Sequence, residues 1–118
     1  MATSQIKRMI GLTDYSYEEQ DTGARWVDGK AIYKRTVTKT QTNSDSVTIN
    51  MTSWGADKVI DAELLAVGGN YQFFTAYYLG STDRLRIYRS GNTLTLDSGA
   101  SYPPKPTTWY VTLYYTKN

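Results

Sequence analysis

Cysteine and histidine are both absent from the 118 residues. Without cysteine there is no disulfide framework, no thiolate metal site and no cysteine nucleophile, and a reducing or an oxidising compartment would treat the chain alike. Without histidine the commonest general base and the commonest metal ligand are missing. Proline is scarce: its three residues all fall in Tyr102-Pro-Pro-Lys-Pro, where they forbid ladder bonding and mark a loop. No apolar run approaches the roughly 20 residues of a membrane helix. The opening Met-Ala-Thr-Ser-Gln-Ile-Lys-Arg lacks the apolar core of a signal peptide. Thirteen Lys and Arg against eleven Asp and Glu leave a formal charge of +2, too small to point to nucleic acid as a partner.

Aromatic content is where the chain is rich. Eleven Tyr and 3 Trp stand against 2 Phe, a set weighted toward rings with a polar handle, suited to half-wet positions. Thr, Tyr, Val and Ile favour strands, while Leu and Ala are too scattered for amphipathic helices. The expected class is all-β: an antiparallel sandwich of about seven to nine short strands, with a jelly roll as one form it could take. Residues 1–15 read as an opening segment in which Ile6, Met9 and Ile10 could make one short helical turn, dock as a strand or stay disordered. Residues 16–118 read as a single sandwich domain.

The organising stretch is Trp26-Val-Asp-Gly-Lys-Ala-Ile-Tyr-Lys-Arg-Thr-Val. Asp28-Gly29 suits a two-residue type I′ turn, which needs positive φ at both positions. That register sets Trp26 over the small Ala31, with Tyr33 and Val37 further along the same face, and makes Trp26 an anchor. Turn chemistry is also expected at Asp21 to Gly23. Residues 41–45 read as a loop, and Val47, Ile49 and Met51 as the cleanest half-buried strand. Thr52 to Asp57 reads as a loop carrying an exposed or half-buried Trp54. Val59–Val67 fits neither helix nor strand cleanly and is assigned to strand. Tyr71–Leu79, apolar on both faces, reads as a central strand covered on both sides. Leu85 and Ile87 point opposite to Arg84, Arg86 and Tyr88. The final strand puts Trp109, Val111, Leu113 and Tyr115 on one face and Tyr110 and Tyr114 on the other.

Glu18-Glu19, Gly23, Trp26-Val-Asp-Gly-Lys-Ala-Ile-Tyr and Thr36-Val37 resemble a signature of the C-terminal domains of tail-fibre and baseplate proteins of tailed bacteriophages and prophages. The closing Tyr110-Val-Thr-Leu-Tyr-Tyr-Thr-Lys is similar to the usual ending of the same proteins. The two blocks bracket nearly the whole domain; residues 41–100 match no motif. The chain departs from the pattern in stopping at Asn118, soon after Tyr-Thr-Lys, and in starting directly before the domain, as a short gene product or a fragment would. The resemblance implies a virion tail component assembled in the bacterial host cytoplasm. It would be a homotrimer at the distal end, in contact with other tail proteins and with a host cell-surface glycan. In the signature, Trp26, Asp28, Gly29, Lys30 and Tyr33 are expected to be structural, since turn geometry and cross-strand pairing account for them.

Tyr-rich strands apolar on both faces offer more aromatic surface than one small sandwich can hide, which points to a subunit interface or a ligand surface. Tyr110 and Tyr114 are the interface candidates. Trp54, Tyr77, Tyr78, Tyr102 and Trp109 are candidate sugar platforms, because a ring face packs against the apolar face of a pyranose. Arg84, Arg86 and Tyr88, with Arg89 nearby, could bind a phosphate-bearing polymer, such as nucleic acid or an anionic cell-wall glycan, or simply form a solvated edge or pair with acidic side chains. Glu18-Glu19 would point to opposite faces of a strand and so cannot flank one glycosidic bond; they read as solvated. Asp57, Asp61 and Glu63 match no calcium-loop pattern. No cofactor, metal site, catalytic residue or membrane insertion is expected. A stand-alone carbohydrate-binding module of a secreted protein is the competing reading, and a glycan hydrolase is the third, disfavoured by the missing His, Cys and paired carboxylates.

Overall fold

A computed structural model describes residues 14–41, 46–68, 71–80, 84–98 and 108–118. Its strands are β1 (Gln20–Arg25), β2 (Ala31–Thr40), β3 (Ser46–Asn50), β4 (Ala56–Gly68), β5 (Tyr71–Phe73), β6 (Tyr77–Tyr78), β7 (Arg84–Ser90), β8 (Thr93–Asp97) and β9 (Thr108–Lys117). They form two antiparallel sheets, β1-β2-β9-β4-β5 and β3-β8-β7-β6, packed as a sandwich. Among the described residues, the nested pairing of a jelly roll, first strand with last, holds for β2–β9 and β3–β8 and stops there. β4 pairs with β5 as a hairpin, and β6, β7 and β8 run as a meander.

The core follows from the period-2 rule on β9. Trp109, Val111, Leu113 and Tyr115 are each fully buried. Their direct partners are Lys39, Val37, Arg35 and Tyr33 on β2 and Ala66, Leu64, Ala62 and Val59 on β4, so these share the inner face. Ile49, Leu85, Leu94 and Leu96 meet them from the second sheet. Trp109 donates its indole N–H to Gln41 Oε1 at 2.9 Å, and Gln41 Nε2 donates to Ser98 Oγ at 3.0 Å. A buried ring with a polar atom thereby has its partner, and the end of β2 is tied to the end of β8.

Three expectations are corrected. The hairpin turn is not type I′, because Asp28 does not have positive φ. Trp26 N–H donates to Lys30 O and Gly29 N–H to Trp26 O, each at 2.9 Å, with Gly29 at φ 89°. This is a three-residue turn closed by a glycine bulge, which shifts the register so that Arg25, not Trp26, faces Ala31. Trp26 is consequently half-buried and no anchor; the anchoring rings are Trp109 and Trp54. Second, the turn chemistry expected at Asp21 to Gly23 is present, with Asp21 Oδ1 accepting from Gly23 N–H and Gly23 at φ 82°, but it interrupts β1 as an irregularity and does not lie in a segment that precedes the strands. Third, Tyr71–Leu79 is no central strand. It contains β5 and β6, each bonded to a single neighbour at the margin of a different sheet. The chain crosses between sheets there, leaving Phe74, Tyr78 and Leu79 exposed. Val59–Val67 is strand, within β4.

Candidate functional site

Two of the expected sugar platforms are core residues. Trp109 is fully buried, and Trp54, on a short 3-10 turn (Thr52–Trp54), is 6% exposed. The Trp54 ring lies 5.2 Å from that of Tyr115, with the Arg35 guanidinium 4.6 Å from its centroid. A residue placed on a loop by local sequence is thus covered by strands distant in the chain. Tyr77 is half-buried and packs on Phe73. Tyr102 lies outside the described residues, as do the whole proline-rich segment, residues 42–45 and the opening through residue 13.

What the fold does bring together is Tyr78, Arg84, Arg86 and Tyr88, on the outer face of the four-stranded sheet. Arg84 and Arg86 alternate with Leu85 and Ile87 on β7, so their side chains turn away from the core. Asp97, their cross-strand neighbour on β8, takes both guanidiniums: Arg84 through Nε at 2.8 Å and Nη2 at 3.1 Å, Arg86 through Nη2 at 2.7 Å and Nε at 3.2 Å. Asp97 is itself buried. Fixed in this way, the Arg86 guanidinium sits 5.4 Å from the Tyr78 ring centroid and 5.3 Å from that of Tyr88. The rings are 59% and 47% exposed. The result is a tyrosine–arginine–tyrosine row on an open surface. Arg89 does not join it: pointing inward, it donates to the backbone oxygens of Asp57 and Ala56.

The outer face of the five-stranded sheet carries a groove of about 780 Å³, lined by Tyr15, Ser16, Tyr17, Thr36, Glu63, Phe74, Tyr110 and Thr112, among others. Tyr17, Phe74 and Tyr110 are exposed rings. Thr36 and Thr112 share a 2.8 Å hydroxyl contact in its wall, and Tyr17 Oη accepts from Thr38. Glu63 Oε1 accepts from the hydroxyls of Tyr15 and Tyr114, each at 3.2 Å. Burial first, and then the Glu63 charge, push the Tyr114 hydroxyl up to about 12. Lys34 lies beneath, only 1% exposed, with its ammonium 4.3 Å from the Tyr15 ring and 5.9 Å from that of Tyr114. Of the two interface candidates, Tyr110 therefore stands open, whereas Tyr114 is partly engaged within its own chain. Tyr15 and Tyr17 also line this groove and are not among the residues expected from sequence; their spacing of two, either side of Ser16, is the signal the sequence holds for them.

Glu19 is not solvated. Its carboxylate accepts from the Tyr115 hydroxyl and from Lys117 Nζ at 2.8 Å, with Arg35 at 3.8 Å. Burial works to raise its carboxyl, but the bonds from Lys117 and Tyr115 and the charges of Lys117 and Arg35 outweigh it and hold it below the usual range. Burial, and then the bond to Glu19, push the Tyr115 hydroxyl up. Asp57, Asp61 and Glu63 have separate duties. Asp57 pairs with Lys30 at 2.8 Å and Lys58 at 3.3 Å, and Asp61 accepts from the Ala62 N–H. Lys30 thus bridges to the start of β4, and Asp28 caps the turn by accepting from Lys30 N–H. Both residues have a structural explanation.

No family model, no curated protein and no solved structure matches this chain.

Proposed function

We propose that this chain is a non-catalytic structural and receptor-binding domain of a phage or prophage tail fibre or baseplate. In this reading it assembles as a homotrimer at the distal tip, engages other tail proteins and binds a host-surface glycan. The observation that carries it is the aromatic-walled groove over β2, β9 and β4. Exposed rings beside hydroxyls and a carboxylate are the combination that grips a sugar: ring faces take the apolar face of a pyranose while polar groups bond its hydroxyls. The surrounding sheet is braced through β9, the strand at the centre of the five. Rings standing open on a sheet face are also what a second subunit would cover. Tyr110 serves both purposes in this reading, with the glycan held where subunits meet. Binding without turnover is supported by the chain's lack of His and Cys and by the use of Glu63 as acceptor for two tyrosine hydroxyls.

Light scattering on the intact chain tests the assembly. The expected mass is three times 13.3 kDa, falling toward one protomer in Tyr110→Ala. A monomer that persists at high protein concentration would overturn the trimeric tip and favour a single-chain carbohydrate-binding module. Glycan-array binding lost in Tyr110→Ala, with no released sugar, is the matching functional result.

A further inference from the structure

We infer that the outer face of the four-stranded sheet is a second binding site, selective for a sugar that carries an oxyanion, a carboxylate or a phosphate, and centred on Tyr78, Arg86 and Tyr88. Three features converge on that chemistry. The guanidinium is held before any ligand arrives, since Asp97 fixes it through Nε and Nη2 and neither bond uses Nη1. Its side chain is 43% exposed, so the remaining N–H groups can reach a ligand oxygen. A charge-assisted bond from a preorganised arginine to a carboxylate or phosphate is among the stronger polar contacts available at a surface. The two flanking rings, roughly half exposed, then supply the apolar faces on which a pyranose stacks. Neither ring is needed by the core, which closes on Leu85 and Ile87 from the opposite side of β7.

The stated class also follows from what the row lacks. A neutral sugar would stack on Tyr88 or Tyr78 but bring no charge to a cluster in which two guanidiniums, Arg84 and Arg86, share the single Asp97 carboxylate. A nucleic acid gains its affinity from several phosphate contacts at once, whereas one arginine lies between the rings and the whole chain carries a formal +2. The site needs neither the trimer nor the groove, since it lies on the other sheet.

Calorimetric titration of the full chain with trigalacturonate, glucose 1-phosphate, maltotriose, inorganic phosphate and a short single-stranded DNA tests the site. At least one of the two acidic sugars is expected to bind, and Arg86→Gln and Tyr88→Ala are each expected to weaken it by roughly tenfold or more. Trigalacturonate alone would identify the anion as a carboxylate, and glucose 1-phosphate alone as a phosphate. Tyr110→Ala is expected to leave this binding unchanged, so failure of the groove reading and failure of this one are separable. The inference is overturned if neither acidic sugar binds, or if both substitutions leave the titration unaltered. It is equally overturned if maltotriose binds as tightly and loses that binding in Tyr88→Ala, if inorganic phosphate matches glucose 1-phosphate, or if the DNA binds more tightly than either sugar. Should Arg86→Gln fail to fold because Asp97 loses a partner, the exposed Tyr88→Ala decides.

Discussion

Two regions of this sandwich are built from the same parts and differ in what covers them. At one end, Glu19 collects Tyr115, Lys117 and Arg35, and Arg35 lies over Trp54. On the outer face of the second sheet, Asp97 collects Arg84 and Arg86, and Arg86 lies between Tyr78 and Tyr88. Each is a carboxylate, a pair of cations and a pair of rings. In the first the rings are buried and the assembly holds the fold together. In the second the carboxylate is buried and the rings are open, so the assembly presents a surface. The same side-chain chemistry becomes structure or recognition according to which member faces water.

The comparison is broken most forcefully from the closed end. Trp54 fills the space between Tyr115 and the Arg35 guanidinium, and its removal leaves a cavity bordered by a charge. Trp54→Ala is expected to destabilise the chain by about 3–5 kcal/mol, lowering Tm by more than about 10 °C in calorimetry. A loss under about 1 kcal/mol would mean that the closed cluster is no tighter than the open one.

Much of the sheet structure could be read from local alternation. The four inward residues of β9, the inward Leu85 and Ile87 and the outward Arg84, Arg86 and Tyr88 follow directly from a period of two. The remaining features depended on information that no short window holds. Asp28-Gly29 suits a two-residue turn and a three-residue turn with a glycine bulge equally well, and the difference shifts the register by one residue and demotes Trp26 from anchor to flank. Trp54 sits in a loop by every local sign, yet Tyr115, 61 positions later, closes over it. The run Tyr71–Leu79 has the composition of a central strand, and nothing in composition distinguishes that from a chain crossing between two sheet margins. Glu19 looked solvated because its partners, Arg35, Tyr115 and Lys117, are all distant in sequence. The candidate row was legible as a set of residues, but the ring pair that completes it needed β6 to be placed beside β7.

An intermediate effect tests the carboxylate of the closed cluster. Glu19→Gln keeps an acceptor for Tyr115 but removes the charge facing Lys117 and Arg35, and a loss of about 1–2 kcal/mol at neutral pH is expected. The sign of the pH dependence follows from the depressed folded-state value of Glu19. Between the folded and unfolded values the unfolded chain binds more protons, so the contribution is present above about pH 4.3 and is lost as pH falls through the folded value. Urea titrations at pH 7 and in the acid range check this: the parent chain and Glu19→Gln should differ at pH 7 and converge in acid. A constant gap would show that the Glu19 charge is not what holds the cluster.

The smallest effect is expected on the open side, and there the comparison is sharpest. Tyr88 and Tyr115 have the same side chain, but the Tyr88 ring stands outside the core and shares its arginine with Tyr78. Truncation at an exposed position away from caps and buried polar groups usually changes stability by no more than about 0.5 kcal/mol. Tyr88→Ala is therefore expected to unfold in urea within about that margin of the parent chain, even as it loses binding of an acidic sugar. A loss of 2 kcal/mol or more (roughly the value of burying a large apolar side chain) would show the ring to be structural and would remove the distinction between the two clusters. Unchanged stability together with weakened binding separates them, because the ring then contributes to holding a ligand and not to holding the sheet.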